Sequence, residues 1–328
     1  MATIGSLPVG AVVKSLGTTY NGVVIRWLVG HQDTANGRTK LITEKIITLK
    51  CFDAREPSNP DGYQQTNGNN RYSVSNIDQW LNSAAGAGAW YSKRHSYDAP
   101  PNNANVWSGY NDYDAEAGFL FNFEEALRNA ILDTTIRVAR RTSTGGGGHE
   151  DITRKVYLLS RTEVGLSNEQ GVAEGSKWDL FSDDNSRIAY PTAEAVSRSE
   201  YKSESLNASS PWSWWLRTPC TYFLDNSDDV RYVGVNGTGD GNYGAYYREA
   251  YYGYLGIRPA LELDAGILVS DTPDTDGAYI IRWHTPPSIY PRVDGVSRAY
   301  SDGSVKIDGV WRTIDEVHVK VGGVWRKS

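Results

Sequence analysis

The chain has 328 residues and a formal charge of −6; its 21 tyrosines and 11 tryptophans stand against 6 phenylalanines and a single methionine. Such a length buries a sizeable core, and the acidic balance without a Lys/Arg block supplies no field for phosphate backbones, so nucleic acid is excluded as an expected partner. Two cysteines, Cys51 and Cys220, exclude a disulfide-dense scaffold and a four-cysteine zinc site, and no apolar run approaches a membrane span, so no membrane insertion is expected.

The N-terminal stretch "MATIGSLPVGAVVKSLG" lacks the basic-then-apolar pattern of a secretory leader. Residues 20–31 and 39–52 are β-branched runs bounded by Gly, Asn and Asp, the pattern of hairpin strands. A loop rich in Pro, Asn, Gly and Gln follows over 53–71. In "SVSNIDQWLNS", Ser75 stands as the cap of a short helix whose apolar face is Ile77, Trp80 and Leu81. A second helix is expected in "FNFEEALRNAILDTT", with Asn122 and Glu125 spaced as a capping box and Leu127, Ile131 and Leu132 as its buried stripe. The run "TSTGGGGHED" lacks the Lys-Ser/Thr ending of a phosphate-cradling loop and reads as a surface connection. Further strands are expected at 155–160, 230–235 and 255–264.

Beyond residue 270 the prolines of "VSDTPDTDG" and "HTPPSIYPR" indicate a linker over 271–292. Residues 293–328 then carry a repeat, "VKIDGVWR" returning as "VKVGGVWR", each unit a strand, a two-residue turn and a return strand. The expected organisation is a ligand-binding domain over 1–270, the linker, and a small β appendage for attachment or oligomerisation.

Five segments carry a resemblance. They are Asn76-Ile77-Asp78-Gln79-Trp80-Leu81-Asn82, Ile131-Leu132-Asp133-Thr134-Thr135-Ile136, Val156-Tyr157-Leu158-Leu159-Ser160, Trp214-Trp215-Leu216-Arg217-Thr218-Pro219 and Gly256-Ile257-Arg258-Pro259-Ala260-Leu261. In this order they resemble a C-type-lectin-like domain of unknown function found in prophage tail and bacterial surface proteins. That domain is similar in turn to the variable proteins of diversity-generating retroelements and to the formylglycine-generating enzyme fold. The resemblance implies an α+β fold of C-type-lectin type, with short antiparallel strands, two main helices and long loops. It also implies that Trp214, Trp215, Arg217 and Arg258 are framework residues, and that the stretch between the WWLR and GxR segments is the binding face.

That stretch, 221–254, holds eight of the tyrosines in 34 residues, about a fourfold enrichment. Tyr, Asn and Gly together form a general-purpose binding chemistry, because a phenol ring offers area and a hydroxyl at little entropic cost. The adjacent pairs Tyr246-Tyr247 and Tyr251-Tyr252 cannot both face one side of a strand. The expected ligand-binding residues are Tyr222, Asn226, Tyr232, Asn236, Asp240, Asn242, Tyr243, Tyr246, Tyr247, Tyr251, Tyr252 and Tyr254. The competing reading is that these rings pack within a sheet.

No calcium-site triplet, no EF-hand spacing and no HxxxH or HxH pattern occurs, so neither metal nor cofactor is expected. Catalysis is not expected either, since no G-x-S-x-G elbow is present and Cys51 and Cys220 do not match the close cysteine pair of formylglycine-generating enzymes. The resemblance implies a receptor-binding or adhesin component of a phage or prophage tail, located in the virion at the tail tip or fibre. Its partners would be a host-surface protein or glycan, other tail proteins and, as in many fibres, two further copies in a homotrimer. The alternatives are a bacterial surface protein, extracellular or on the cell surface, with a fixed lectin-like site and, further off, an oxidase of the formylglycine-generating type.

Overall fold

The computed structural model describes residues 2–141, 145–169, 171–221, 229–238 and 247–283, together with the backbone of strands between 292 and 327. It divides into two compact units, Met1–Arg282 and Trp283–Ser328.

The first unit is mixed α+β, dominated by strands with a few short helices and no barrel. Its strands are β1 (Ala2–Thr3), β2 (Val12–Tyr20), β3 (Val23–Asp33), β4 (Arg38–Thr43), β5 (Thr48–Leu49), β6 (Thr134–Ala139), β7 (His149–Arg154) and β8 (Val156–Tyr157). They continue as β9 (Trp214–Pro219), β10 (Asp229–Val233), β11 (Tyr247–Glu249), β12 (Gly256–Ile257), β13 (Ala260–Asp264), β14 (Leu268–Val269) and β15 (Ala278–Arg282). Eight of them form one sheet in the order β1-β14-β15-β2-β3-β4-β13-β8, and five form a second, β11-β10-β9-β12-β5. The pair β6 and β7 makes a separate hairpin.

Local chemistry explains the central meander. Asn21 and Gly22 both adopt positive φ, 51° and 81°, and close the two-residue turn that sets Tyr20 opposite Val23. Along β3, Ile25, Trp27 and Val29 alternate inward and are buried, as a half-covered sheet requires. The core gathers five fully buried tryptophans, Trp27, Trp80, Trp178, Trp214 and Trp215.

Helices are short: α1 (Gly62–Asn67), α2 (Asn76–Leu81), α3 (Glu125–Ala130), α4 (Asp184–Arg187) and α5 (Ala193–Arg198). As the sequence indicates, the Ser75 hydroxyl caps α2 by accepting from the Asp78 amide, and every residue of α2 is buried. The Asp78 carboxylate is held in turn by Arg154 of β7, at 2.7 Å. Three expectations need correction. Helix α1 falls inside the segment read as a loop, started by Asp61, whose carboxylate accepts from the amides of Tyr63 and Gln64. Asn122 caps nothing: α3 begins after Glu124, whose carboxylate is bound by the Ser15 hydroxyl and whose amide donates to the Thr18 hydroxyl, so contacts with β2 replace the local box. Finally, part of the stretch read as linker is strand. Ala278–Arg282 runs parallel to β2 and antiparallel to β14 inside the large sheet. Its approach is held by Lys14, which pairs with Asp274 at 2.9 Å and Asp276 at 2.8 Å.

In the second unit, antiparallel hairpins join Ser304–Ile307 to Val310–Thr313 and His318–Val321 to Val324–Lys327. Ile307 pairs with Val310 and Val321 with Val324, so each repeat is a strand, a two-residue connection and a return strand.

Candidate functional site

Strand β9 is the base on which the tyrosine-rich stretch rests. Trp214, Trp215 and Arg217 are wholly buried, and Arg258 nearly so, in keeping with a framework role. The Trp215 indole donates to the Lys50 carbonyl at 3.0 Å, and the Trp214 ring lies 4.9 Å from the Arg258 guanidinium, whose pKa burial lowers to about 10. Arg217 donates to the carbonyls of Leu158 (2.9 Å), Glu174 (2.7 Å) and Arg137 (3.2 Å) and pairs with the buried Glu163 carboxylate. One guanidinium thus joins β9 to β6 and to the segments after β8. Cys51 and Cys220 are both buried, and burial raises the Cys51 thiol above its ordinary range.

Above this base, β10 pairs antiparallel with β9 and β11, placing Tyr232 opposite Trp215 and Arg231 opposite Tyr247. The chain then leaves β11 and is pinned at successive backbone groups. The Ala250 carbonyl accepts from Phe52, Tyr251 donates to Asn67, the Tyr251 carbonyl accepts from the Trp107 amide, the Gly253 carbonyl from the Asn111 side chain at 2.6 Å, and the Tyr254 carbonyl from the Trp212 indole at 2.7 Å. Gly253 must be glycine here, because a Cβ would lie 2.0 Å from the Tyr110 carbonyl oxygen.

Pinning this segment brings seven half-buried rings together. Tyr252 stacks on Trp107 at 4.9 Å and 28°, and Tyr254 stacks on Tyr201 at 4.8 Å and 25°. Tyr251 meets Tyr252 edge-on at 5.1 Å, Tyr252 meets Tyr254 at 5.2 Å, Tyr110 lies 5.6 Å from both Trp107 and Tyr201, and Trp212 lies 6.2 Å from Tyr201. The exposed Arg248 guanidinium sits 5.8 Å from the Tyr252 ring. Partial burial, then the Glu249 carboxylate, raise the phenols of Tyr251 and Tyr252, so both remain neutral hydrogen-bond donors at neutral pH. Chemically the patch offers flat apolar area, several hydroxyls and one exposed cation.

The residues expected at the site divide into three groups. Tyr251, Tyr252 and Tyr254 converge in the cluster. Tyr232 is half-buried with its ring edge-on to Trp215 at 6.3 Å, Tyr247 lies 5.8 Å from the Arg231 guanidinium, and the exposed Asn236 accepts from the Thr238 amide and hydroxyl to close its own turn. Tyr222, Asn226, Asp240, Asn242, Tyr243 and Tyr246 lie outside the described residues. Sequence reasoning missed Trp107, Tyr110, Tyr201 and Trp212, which come from two other loops. Their signal was one or two aromatics in an otherwise polar stretch, as in "NANVWSGYND" and "SEYKSES".

Residues 36–265, covering β4 to β13 and every ring of this cluster, match the family model described as Domain of unknown function (DUF6273). The chain belongs to the DUF6273 family. No curated protein and no solved structure gave a match. Among the described residues of this DUF6273 protein, no helix is long and apolar enough to cross a membrane, and no group of three or more His, Cys, Asp or Glu side chains is placed to hold a metal ion.

Proposed function

We propose that the first unit is a ligand-binding domain of C-type-lectin type, serving as a receptor-binding or adhesin component of a phage or prophage tail that attaches to a host-surface glycan or protein. The observation that carries this reading is the seven-ring cluster of half-buried tyrosines and tryptophans, held on a backbone pinned by long-range hydrogen bonds. Rings fixed in this way lose little entropy on binding, and Tyr and Trp are the residues that most often dominate recognition surfaces. The order of the five framework segments supports the lectin-like assignment, and the repeat hairpins of the second unit fit attachment to other tail proteins or to sister chains.

The test is binding of the fluorescently labelled 328-residue chain to intact bacterial cells, comparing the parent with a Tyr252→Ala, Tyr254→Ala chain. Loss of each anchor costs on the order of 2 kcal/mol, so attachment should weaken by at least about tenfold while the cooperative unfolding transition is kept. Attachment unchanged in the double variant would refute the aromatic face as the binding surface.

A further inference from the structure

A cleft of about 510 Å³ is lined by Asn111, Ser199 and Glu200, which are joined by hydrogen bonds and are the chain neighbours of the cluster residues Tyr110 and Tyr201. Its size is in the range of small-molecule sites, roughly 300–1,000 Å³. At its base is Lys50, whose ammonium is 1% exposed, pairs with Glu116 at 2.8 Å, and lies 4.7 and 5.1 Å from the faces of Tyr113 and Trp80. Burial works against that charge, but the Glu116 carboxylate outweighs it and keeps the ammonium protonated.

Glu116 faces both ways. Its Oε2 takes the Lys50 ammonium and the Tyr20 hydroxyl, while Oε1 has no hydrogen-bond partner among the described residues, and the side chain is 43% exposed. Asp112 and Glu200 line the same cleft, with Tyr20 as an aromatic wall and Asn122 at the rim. Three carboxylates face two cations, Lys50 and Arg198, and the Lys50 charge is already neutralised. A second anion would meet repulsion here, and a purely apolar ligand would strand several acceptors. What fits is a compact molecule with many O–H donors and one face of C–H groups.

We propose that this cleft binds a neutral monosaccharide unit, whose hydroxyls donate to Glu116, Asp112 and Glu200 while its ring lies against Tyr20. The inference rests on the glycan form of the attachment reading and extends it: a saccharide chain crossing the aromatic cluster would place one residue in the cleft. The ammonium of Lys50 fixes Glu116 in advance, so the carboxylate accepts a hydroxyl without first being ordered.

The experiment is ligand-observed saturation-transfer NMR on the full chain at about 10 mM probe, a concentration that reveals millimolar affinity. The probes are methyl glucoside, methyl galactoside, N-acetylglucosamine, glucuronate and a simple diamine. The expected result is transfer to at least one neutral sugar, reduced tenfold or more by Ala115→Trp, which fills the cleft from its exposed lining, and by Glu116→Gln. Because Glu116→Gln also removes the partner of Lys50, both variants are checked by thermal unfolding, and Ala115→Trp carries the conclusion if Glu116→Gln does not fold. No transfer to any neutral sugar, a preference for glucuronate or the diamine, or transfer unaffected in the folded Ala115→Trp chain would each overturn the proposal. Cell attachment is scored separately on the Tyr252→Ala, Tyr254→Ala chain, so failure of the aromatic face and failure of the cleft are read from different measurements.

Discussion

Replacing Arg217 by Met keeps the length and apolar stem of the side chain and removes only the guanidinium. The structure shows what is then stranded. Glu163, 5% exposed, loses its ion partner, and the carbonyls of Arg137, Leu158 and Glu174 lose a charged donor. Breaking a buried ion pair from one side costs about 3–5 kcal/mol. The carbonyls left without the charged donor add to this, less so at Glu174, whose carbonyl keeps the Ser160 hydroxyl at 2.9 Å, and the terms share one network and do not sum. A loss of at least about 4 kcal/mol is a large part of the roughly 5–15 kcal/mol by which domains are stable. At some 2–4 °C per kcal/mol, the transition should fall by about 10 °C or more. Arg217→Lys should recover only part of this, since a point charge cannot reach three carbonyls and a carboxylate at once. Scanning calorimetry of the three chains reads the order directly, and an Arg217→Met chain within about 2 °C of the parent would refute the claim that this side chain is the node of the framework.

Gly253→Ala should destabilise by about 1–3 kcal/mol and disturb the ring cluster, because the added Cβ meets backbone rather than a side chain that can swing away; a lost exciton signal in the near-ultraviolet circular dichroism would report it. Ser75→Ala should cost about 1 kcal/mol by denaturant titration, through the lost cap of α2. The acid limb of stability should carry the Asp276 clasp. The Lys14 ammonium that donates to it, with the Ala278 amide and Arg26 beside it, pushes this carboxyl from its ordinary 3.8 down to about 2. A depressed pKa contributes stability that is complete above the unfolded value and lost as pH falls through the folded one. The gap in melting temperature between the parent and Asp276→Asn should therefore close between about pH 4 and pH 2, and a constant gap would contradict the assignment.

The residues show why some features were legible and others were not. The β3–β4 hairpin, the Ser75 cap and the C-terminal hairpins depend on neighbours in sequence, and local composition reveals them. Asn122 failed because Ser15 and Thr18, more than a hundred positions away, occupy Glu124. The β6–β7 hairpin was not legible because His149–Arg154 buries no residue and carries a single apolar side chain, Ile152, so it shows no apolar alternation. For the ring cluster, the tyrosine surplus marked Tyr251, Tyr252 and Tyr254, but four of the seven rings come from loops around residues 107 and 201. Bonds from Trp107 and Asn111 to the Tyr251–Gly253 backbone, from Asn111 to Ser199 and Glu200, and from Trp212 to Tyr254 bring them there, and no pattern within either loop encodes that meeting.

The buried Glu169 carboxylate has a consequence for how this protein could change. It accepts from the Thr221 amide and hydroxyl on one side and from the Arg231 guanidinium on the other, while the Cys220 amide donates to the Asp229 carbonyl at 2.9 Å. Both ends of segment 222–228 are therefore tied off by residues that do not belong to it. A change at position 169 would release Thr221 after β9 and Arg231 in β10 at one stroke, so this carboxylate is a position at which the protein should tolerate little variation.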